Sequence, residues 1–325
     1  MNRDARFDNI KALLIFLVVL GHSVEYLYGV KGSYGALRAV IYSFHMPAFV
    51  FISGYFASRS KSSLPDVTIK YFCTYLIFNT LFALTPWHVN SPLNFLYPQL
   101  IYWYLLCLCF WRISVETISH IKFALPLSLL LTLYIGTCPK ADRFMSISRA
   151  ICFFSFYLMG YKFSLKFIEK INKWLMGAAL AACAGLTLIA YYKNLVPVKM
   201  YEYIQSYAST EVGNLQGIGM RVFMIATATI VTIGLIVIMP SEKNVFTCIG
   251  RNSLNIYLIH IFIIKAVAHI GIANFNNEIL NMIFSLVLTI AICMLLSMPI
   301  ITDAYNYMIS RIVRLFVVQD AKSKA

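Results

Sequence analysis

The sequence predicts an all-α, polytopic integral membrane protein of about ten transmembrane helices with both termini cytoplasmic. Three observations predict it. The 325 residues are 60% hydrophobic and only 12% charged, with a mean hydropathy of +0.74; a soluble domain carries roughly a quarter charged residues. The apolar residues fall in near-continuous blocks of about 15 to 22, the length needed to cross a hydrocarbon core of about 30 Å. The blocks lack the polar alternation of barrel strands, so each must satisfy its backbone internally as a helix.

In chain order, the first block (10–28) follows the charged opening MNRDARFD and lacks a small-residue cleavage site. It is therefore expected to stay as a helix rather than leave as a signal peptide. The second (37–57) contains Pro47, which kinks or breaks a helix, and a Ser53-Gly54 pair that permits close packing. Blocks 68–84, 97–111, 121–137, 149–163 and 174–192 come next, the fourth and sixth of the series being the shortest. The outer connection 193–217 is polar and rich in tyrosine (Tyr201, Tyr203, Tyr207), which suits either a lid over an outward cavity or an interfacial aromatic loop. The last three blocks are 218–240, 253–272 and 278–301. Beyond them, 303–318 alternates apolar residues with Arg311 and Arg314, the pattern of an amphipathic helix on the inner leaflet. No linker and no internal repeat divides the chain, so one domain over 1–325 is expected.

The formal charge of +14 is explained by this topology. With both termini inside, the cytoplasmic segments hold 18 of the 27 lysines and arginines, the bias of the positive-inside rule. The basic balance reads as orientation and contact with anionic membrane lipids, not as nucleic-acid binding. A multi-pass protein of the cell's inner or plasma membrane follows. The eight cysteines form no CxxC pair and sit mostly within apolar blocks, as small hydrophobes of a bundle.

Ionisable residues inside apolar blocks are costly and mark function by default. The first block carries Lys11 and His22. Eleven residues at 100° each bring both to one face of a helix, about 16 Å apart along its axis. Glu25 lies within a turn of His22. The second block carries His45, about 21 Å above the inner interface marked by Arg59, and the ninth carries His260, about 14 Å above Arg251. Three histidines thus share one slab of the membrane. Packing through hydrogen bonds is the plainer reading of His45 and His260. A zinc site is not expected, because no carboxylate or cysteine accompanies these histidines at ligand spacing.

The segments RFDNIKALLIFLVVLGH, FHMPAFVFISGYF, YWYLLCL and GRNSLNIYLIH occur in that order. Together they resemble the acyltransferase 3 family of membrane proteins, and within it the fucose 4-O-acetylase-like branch. The resemblance covers nearly the whole chain. It implies a ten-helix bundle that takes an acyl group from cytoplasmic acyl-CoA, here acetyl-CoA, and places it on a hydroxyl of a surface polysaccharide or lipid-linked sugar. The family's basic residue, ten residues and essential histidine correspond to Lys11 and His22. Its arginine motif after the second or third helix is matched only in part, by Arg59 and Lys61 in SRSKS.

On this reading Lys11, Arg59 and Lys61 are candidate contacts for the donor's phosphates. His22, Glu25 and His45 are the candidate catalytic residues, and Trp103, Tyr257 and His260 the candidate substrate contacts. His22 would act as general base on the sugar hydroxyl or as a nucleophile carrying the acyl group. His45, Tyr55 or Tyr257 would donate to the oxyanion. No metal is expected. The alternative class is a transporter or flippase for a sugar, lipid or other small solute, using buried histidines for proton coupling; the chain shows no inverted repeat in its support.

Overall fold

Helices account for every regular element among the described residues of the computed structural model, which are 4–87, 93–139, 143–273 and 275–316. The first helix, α1 (Arg6–Tyr28), runs without interruption through the first predicted span. At 1.5 Å per residue its 23 residues reach about 35 Å, enough to cross a bilayer.

The second predicted span is built as two helices, α2 (Gly32–Tyr42) and α3 (His45–Ala57). Pro47 is the cause. In a continuous helix its ring would meet the carbonyl four residues back, at Ser43, and it offers no N–H. The chain breaks just there: Phe44 leaves helical geometry (φ −141°, ψ −23°) and the Ser43 hydroxyl turns back to the Val40 carbonyl at 2.7 Å. The pair still covers Gly32–Ala57 as one apolar segment of membrane-crossing length.

The remaining helices are α4 (Leu64–Ala83), α5 (Trp103–Ile118), α6 (Ala124–Tyr134), α7 (Ile147–Lys162), α8 (Lys173–Tyr192), α9 (Asn214–Ile238), the single-turn α10 (Thr247–Arg251), α11 (Ser253–Ile270), α12 (Glu278–Leu296) and α13 (Pro299–Phe316). Seven described segments are long and apolar enough to cross a membrane, and they coincide with seven of the ten predicted spans. The other three predicted spans, 68–84, 97–111 and 121–137, fall on α4, α5 and α6. Among these, α5 starts later than expected. Residues 97–102 form turns because Pro98 interrupts them, Leu100 takes a positive φ of 38°, and the Gln99 N–H is claimed by the Asn79 side chain at 2.8 Å. The predicted amphipathic segment corresponds to α13, which begins earlier, at Pro299; 317–318 lie outside the described residues.

Small residues set the tightest packing. A Cβ at Gly54 of α3 would collide with the Tyr157 carbonyl of α7, and one at Gly160 of α7 would collide with the Phe51 carbonyl of α3. The two backbones therefore touch, as the Ser53-Gly54 pair suggested. Gly250 of α10 seats against the Asp8 carbonyl of α1 in the same way. These contacts hold α1, α3, α7 and α11 around a common core that includes Leu14, Val18, Phe51, Tyr157 and Leu258.

Candidate active site

One helix links two cavities. Lys11, near the start of α1, lines a cavity of about 410 Å³ at the cytoplasmic end predicted from charge. Three turns further along α1, His22 and Glu25 line a second cavity of about 230 Å³. The two cavities have Met46 and Tyr257 in common, so these side chains form the partition between them.

His22 sits at the centre of a polar cluster drawn from α1 and α2. The Tyr42 hydroxyl donates to Glu25 Oε2 at 2.6 Å and lies 3.3 Å from His22 Nδ1. A hydroxyl that gives its proton to a carboxylate has only lone pairs left for the imidazole. In the neutral ring this arrangement favours the proton on His22 Nδ1, with the lone pair on Nε2. Glu25 Oε2 is 3.8 Å from the same Nδ1 and also accepts from Arg38 Nε at 3.2 Å. An imidazolium formed at His22 therefore meets a carboxylate across a phenol bridge. Placement of Tyr42 depends on the break before Pro47, since α2 ends at this residue.

The other two histidines are held by backbone carbonyls. His45 Nδ1 is 2.8 Å from the Ile41 carbonyl and His260 Nδ1 is 2.9 Å from the Ile256 carbonyl. A carbonyl only accepts, so both neutral rings carry their proton on Nδ1 and present a bare Nε2. In that tautomer His45 has no proton to give an oxyanion, and the Tyr257 hydroxyl is committed to the Ile101 carbonyl. Tyr55 is stacked on Phe7 at 4.1 Å and lines neither cavity. The oxyanion donors expected from sequence are thus already engaged or misplaced. His260 is stacked on His22, with ring centroids 5.4 Å apart, and lies behind it rather than in the cavity wall. Trp103 and Tyr257 line the cavity that holds His22.

The tyrosine-rich connection 193–217 forms part of that cavity's wall. Arg38 Nη2 holds Glu202 Oε1 at 2.7 Å, Arg149 Nε donates to the Glu202 carbonyl at 2.9 Å, and the Ser148 hydroxyl donates to the Tyr203 carbonyl at 2.8 Å. Tyr201, Tyr203 and Tyr207 are buried, and Arg221 of α9 packs over the Tyr203 and Tyr207 rings at 5.6 and 4.8 Å. Burial raises the Tyr201 phenol to about 12, so it stays protonated near neutral pH. Tyr201, Glu202 and Ile204 of this segment line the cavity.

The inner cavity differs in character. Its cations are Lys11, Lys70 and Arg112; its hydroxyls include Ser53, Ser60 and Ser62; and Phe49, Ile52 and Leu108 give it an apolar wall. Lys11 pairs with Asp8 at 2.9 Å and Arg112 with Glu116 at 2.9 Å. Lys70 has no ion pair among the described residues. Arg59 and Lys61, the loop residues assigned to the donor from sequence, are not part of this lining. Arg59 lies 3.6 Å over the Tyr55 ring and donates to the Tyr55 and Phe163 carbonyls, so its guanidinium ties α3 to the end of α7. Lys61 is exposed.

Sequence reasoning missed Tyr42, Arg38, Arg149 and Glu202. The available signal was Arg38 itself, a charge only seven residues before His45 in an apolar segment.

The helical bundle thus places the His22 imidazole in one of two cavities that share Met46 and Tyr257. The chain belongs to the acyltransferase 3 family: the family model described as "Acyltransferase domain" matches residues 4–298. It is also similar to two proteins called Nodulation protein NolL. The one from Sinorhizobium fredii (strain NBRC 101917 / NGR234) is 47% identical over 60 residues, which are 18% of this chain and 16% of that protein. The one from Mesorhizobium japonicum (strain LMG 29417 / CECT 9101 / MAFF 303099) is 45% identical over 60 residues, with the same coverage. Both likenesses thus span about a sixth of the curated relatives' length. No solved structure matches the chain.

Proposed function

We propose that this protein is an O-acyltransferase of a cell's inner or plasma membrane, moving an acetyl group from acetyl-CoA to a hydroxyl of a polysaccharide or lipid-linked sugar. The observation that carries the proposal is the pair of cavities meeting at Met46 and Tyr257, with His22 beside the meeting point. The inner cavity suits the donor. Its lysines and Arg112 answer the phosphates and its apolar wall answers the pantetheine arm, with the thioester at the partition. The other cavity suits a sugar, since Trp103 offers a ring face and Glu25, Arg38 and Glu202 offer polar edges.

His22 Nε2 takes the proton of the acceptor hydroxyl as its oxygen attacks the thioester carbonyl. Collapse of the tetrahedral intermediate breaks the carbon–sulfur bond. The proton on Nε2 passes to the departing thiolate, which leaves as the free thiol, and His22 returns to its neutral form. Through Tyr42, Glu25 stabilises the imidazolium that exists between the two proton transfers. His45 Nε2 provides a second acceptor on the same cavity wall and orients the hydroxyl. Trp103 and Tyr257 bound the sugar, while His260 fixes the plane of the His22 ring from behind.

The test uses purified protein in detergent with acetyl-labelled acetyl-CoA and extracted surface glycans or lipid-linked sugars. Base-labile label on the glycan, lost in His22→Ala, is expected. Label retained on the protein at His22 would make the imidazole the acyl carrier instead. Wild-type turnover by a folded His22→Ala protein would overturn the assignment, and solute movement without thioester consumption would favour a transporter.

A further inference from the structure

The cavity beside His22 has three guanidinium groups in its wall, and they are not in the same state. Arg38 is neutralised, held between Glu25 at 3.2 Å and Glu202 at 2.7 Å. Arg149, in the first turn of α7, is bound differently. Its Nε donates to the Glu202 main-chain carbonyl at 2.9 Å and its guanidinium lies 4.5 Å over the Trp103 ring. The stacking and the Nε bond fix the plane of the group. Neither terminal nitrogen has a hydrogen-bonding partner among the described residues, although the side chain is largely withdrawn from solvent. Arg143, just before α7, lines the same cavity and also has no ion pair among the described residues. The cavity's two carboxylates, Glu25 and Glu202, are both engaged by Arg38.

The hydroxyls of a neutral sugar can accept from such a group but bring no charge to meet it. The nearby Glu202 carboxylate is already paired with Arg38, which leaves Arg149 only partly compensated, and its pre-oriented guanidinium fork fits the two oxygens of a carboxylate or phosphate. We propose that the acceptor carries its own negative charge, as a sugar carboxylate or a phosphate ester, and that Arg149, helped by Arg143, receives it. With that anion anchored over Trp103, one hydroxyl of the same sugar is directed at His22. The anion site itself stands on the arginines; that its ligand is the acceptor, and the role of the neighbouring hydroxyl, rest on the acyl-transfer reading.

The experiment measures binding and transfer on the full chain in detergent. Thermal stabilisation is recorded with glucose, glucuronate and a glucose phosphate, in wild type, Arg149→Gln, Arg149→Lys and Arg143→Gln. At least one anionic sugar is expected to bind about tenfold or more tightly than glucose, the effect of one charge-assisted bidentate contact. Which anion binds better separates carboxylate from phosphate. The preference should vanish in Arg149→Gln, survive in part in Arg149→Lys, and shrink in Arg143→Gln, whose exposed position keeps it informative if Arg149→Gln does not fold. Equal binding of glucose and both anions, or an anion preference unchanged in the glutamine variants, overturns the proposal. Acetyl-CoA consumption with each sugar distinguishes the two readings. Anion binding without thioester consumption leaves the anion site standing and removes the acyl transfer. Equal transfer to neutral and anionic sugars keeps the acyl transfer and removes the anion site.

Discussion

Tyr42→Phe removes a single oxygen from between His22 and Glu25 and leaves the packing of the ring in place. The lost oxygen makes a 2.6 Å bond to Glu25 and a 3.3 Å contact to His22. A hydrogen bond to a charged group contributes roughly 1.5–3 kcal/mol. Only the part that strengthens as the imidazole becomes positive lowers the barrier. Glu25 remains 3.8 Å from Nδ1 and still stabilises the imidazolium directly, so about half of that amount is lost. Roughly 0.75–1.5 kcal/mol corresponds to a fall in kcat of about 4- to 12-fold. The KM for acetyl-CoA should barely move, because Tyr42 lines the outer cavity alone. Release of free thiol from acetyl-CoA in the presence of acceptor, followed continuously with a thiol-reactive dye, measures both. A kcat within twofold of wild type, or an unchanged kcat with a raised KM for the donor, would refute the phenol bridge.

Other substitutions separate the remaining parts. Glu25→Gln keeps the size but removes the counter-charge of His22 and one of the two carboxylates on Arg38, and should lower kcat by about 100-fold, within the range of general acid–base effects; a loss under threefold in steady-state assays counts against it. Lys70→Ala should raise the KM for acetyl-CoA about three- to tenfold with a smaller change in kcat, and raised salt should weaken wild-type donor binding while affecting the variant less. Gly160→Val drives a branched side chain into the Phe51 carbonyl. It should lower the thermal midpoint in detergent by several degrees, as overpacking costs of about 1–3 kcal/mol do; an unchanged midpoint means that α3 and α7 do not pack backbone to backbone. Arg38→Met frees Glu202 and leaves Glu25 without its cation, so protease cleavage within 193–217 should become faster at unchanged protein fold.

Much of this arrangement follows from local rules. Apolar blocks of membrane-crossing length locate most of the long helices, and the 100° step of a helix puts Lys11 and His22 on one stripe, which the bundle places in two different cavities of α1. The nearness of Glu25 to His22 is equally local. The effect of Pro47 was visible as a kink or break, but not what the break does, namely to end α2 at Tyr42 and deliver its hydroxyl to His22. Glu202 and Arg149 reach the site from segments remote in sequence, and no periodicity connects them with α1. Arg59 and Lys61 lie outside the lining of the cavity that holds Lys11. In a basic inner loop, a lysine that fixes topology, an arginine that packs on Tyr55 and a residue that faces a ligand look alike. Lys70 and Arg112 face the inner cavity because α4 and α5 turn those faces inward, which depends on tertiary packing. The true start of α5 was hidden because a hydrophobic count ignores the backbone demands of Pro98 and Leu100.

The most direct test separates the substrates by the membrane itself. Protein is reconstituted in one orientation, with acetyl-labelled acetyl-CoA confined to the side of Lys11 and Lys70 and a hydroxyl acceptor confined to the side of Glu202. Label should appear on the acceptor across the bilayer with wild-type protein and not with His22→Ala. Transfer only when donor and acceptor share a compartment, or equal transfer by the alanine variant, would contradict a single imidazole serving two cavities.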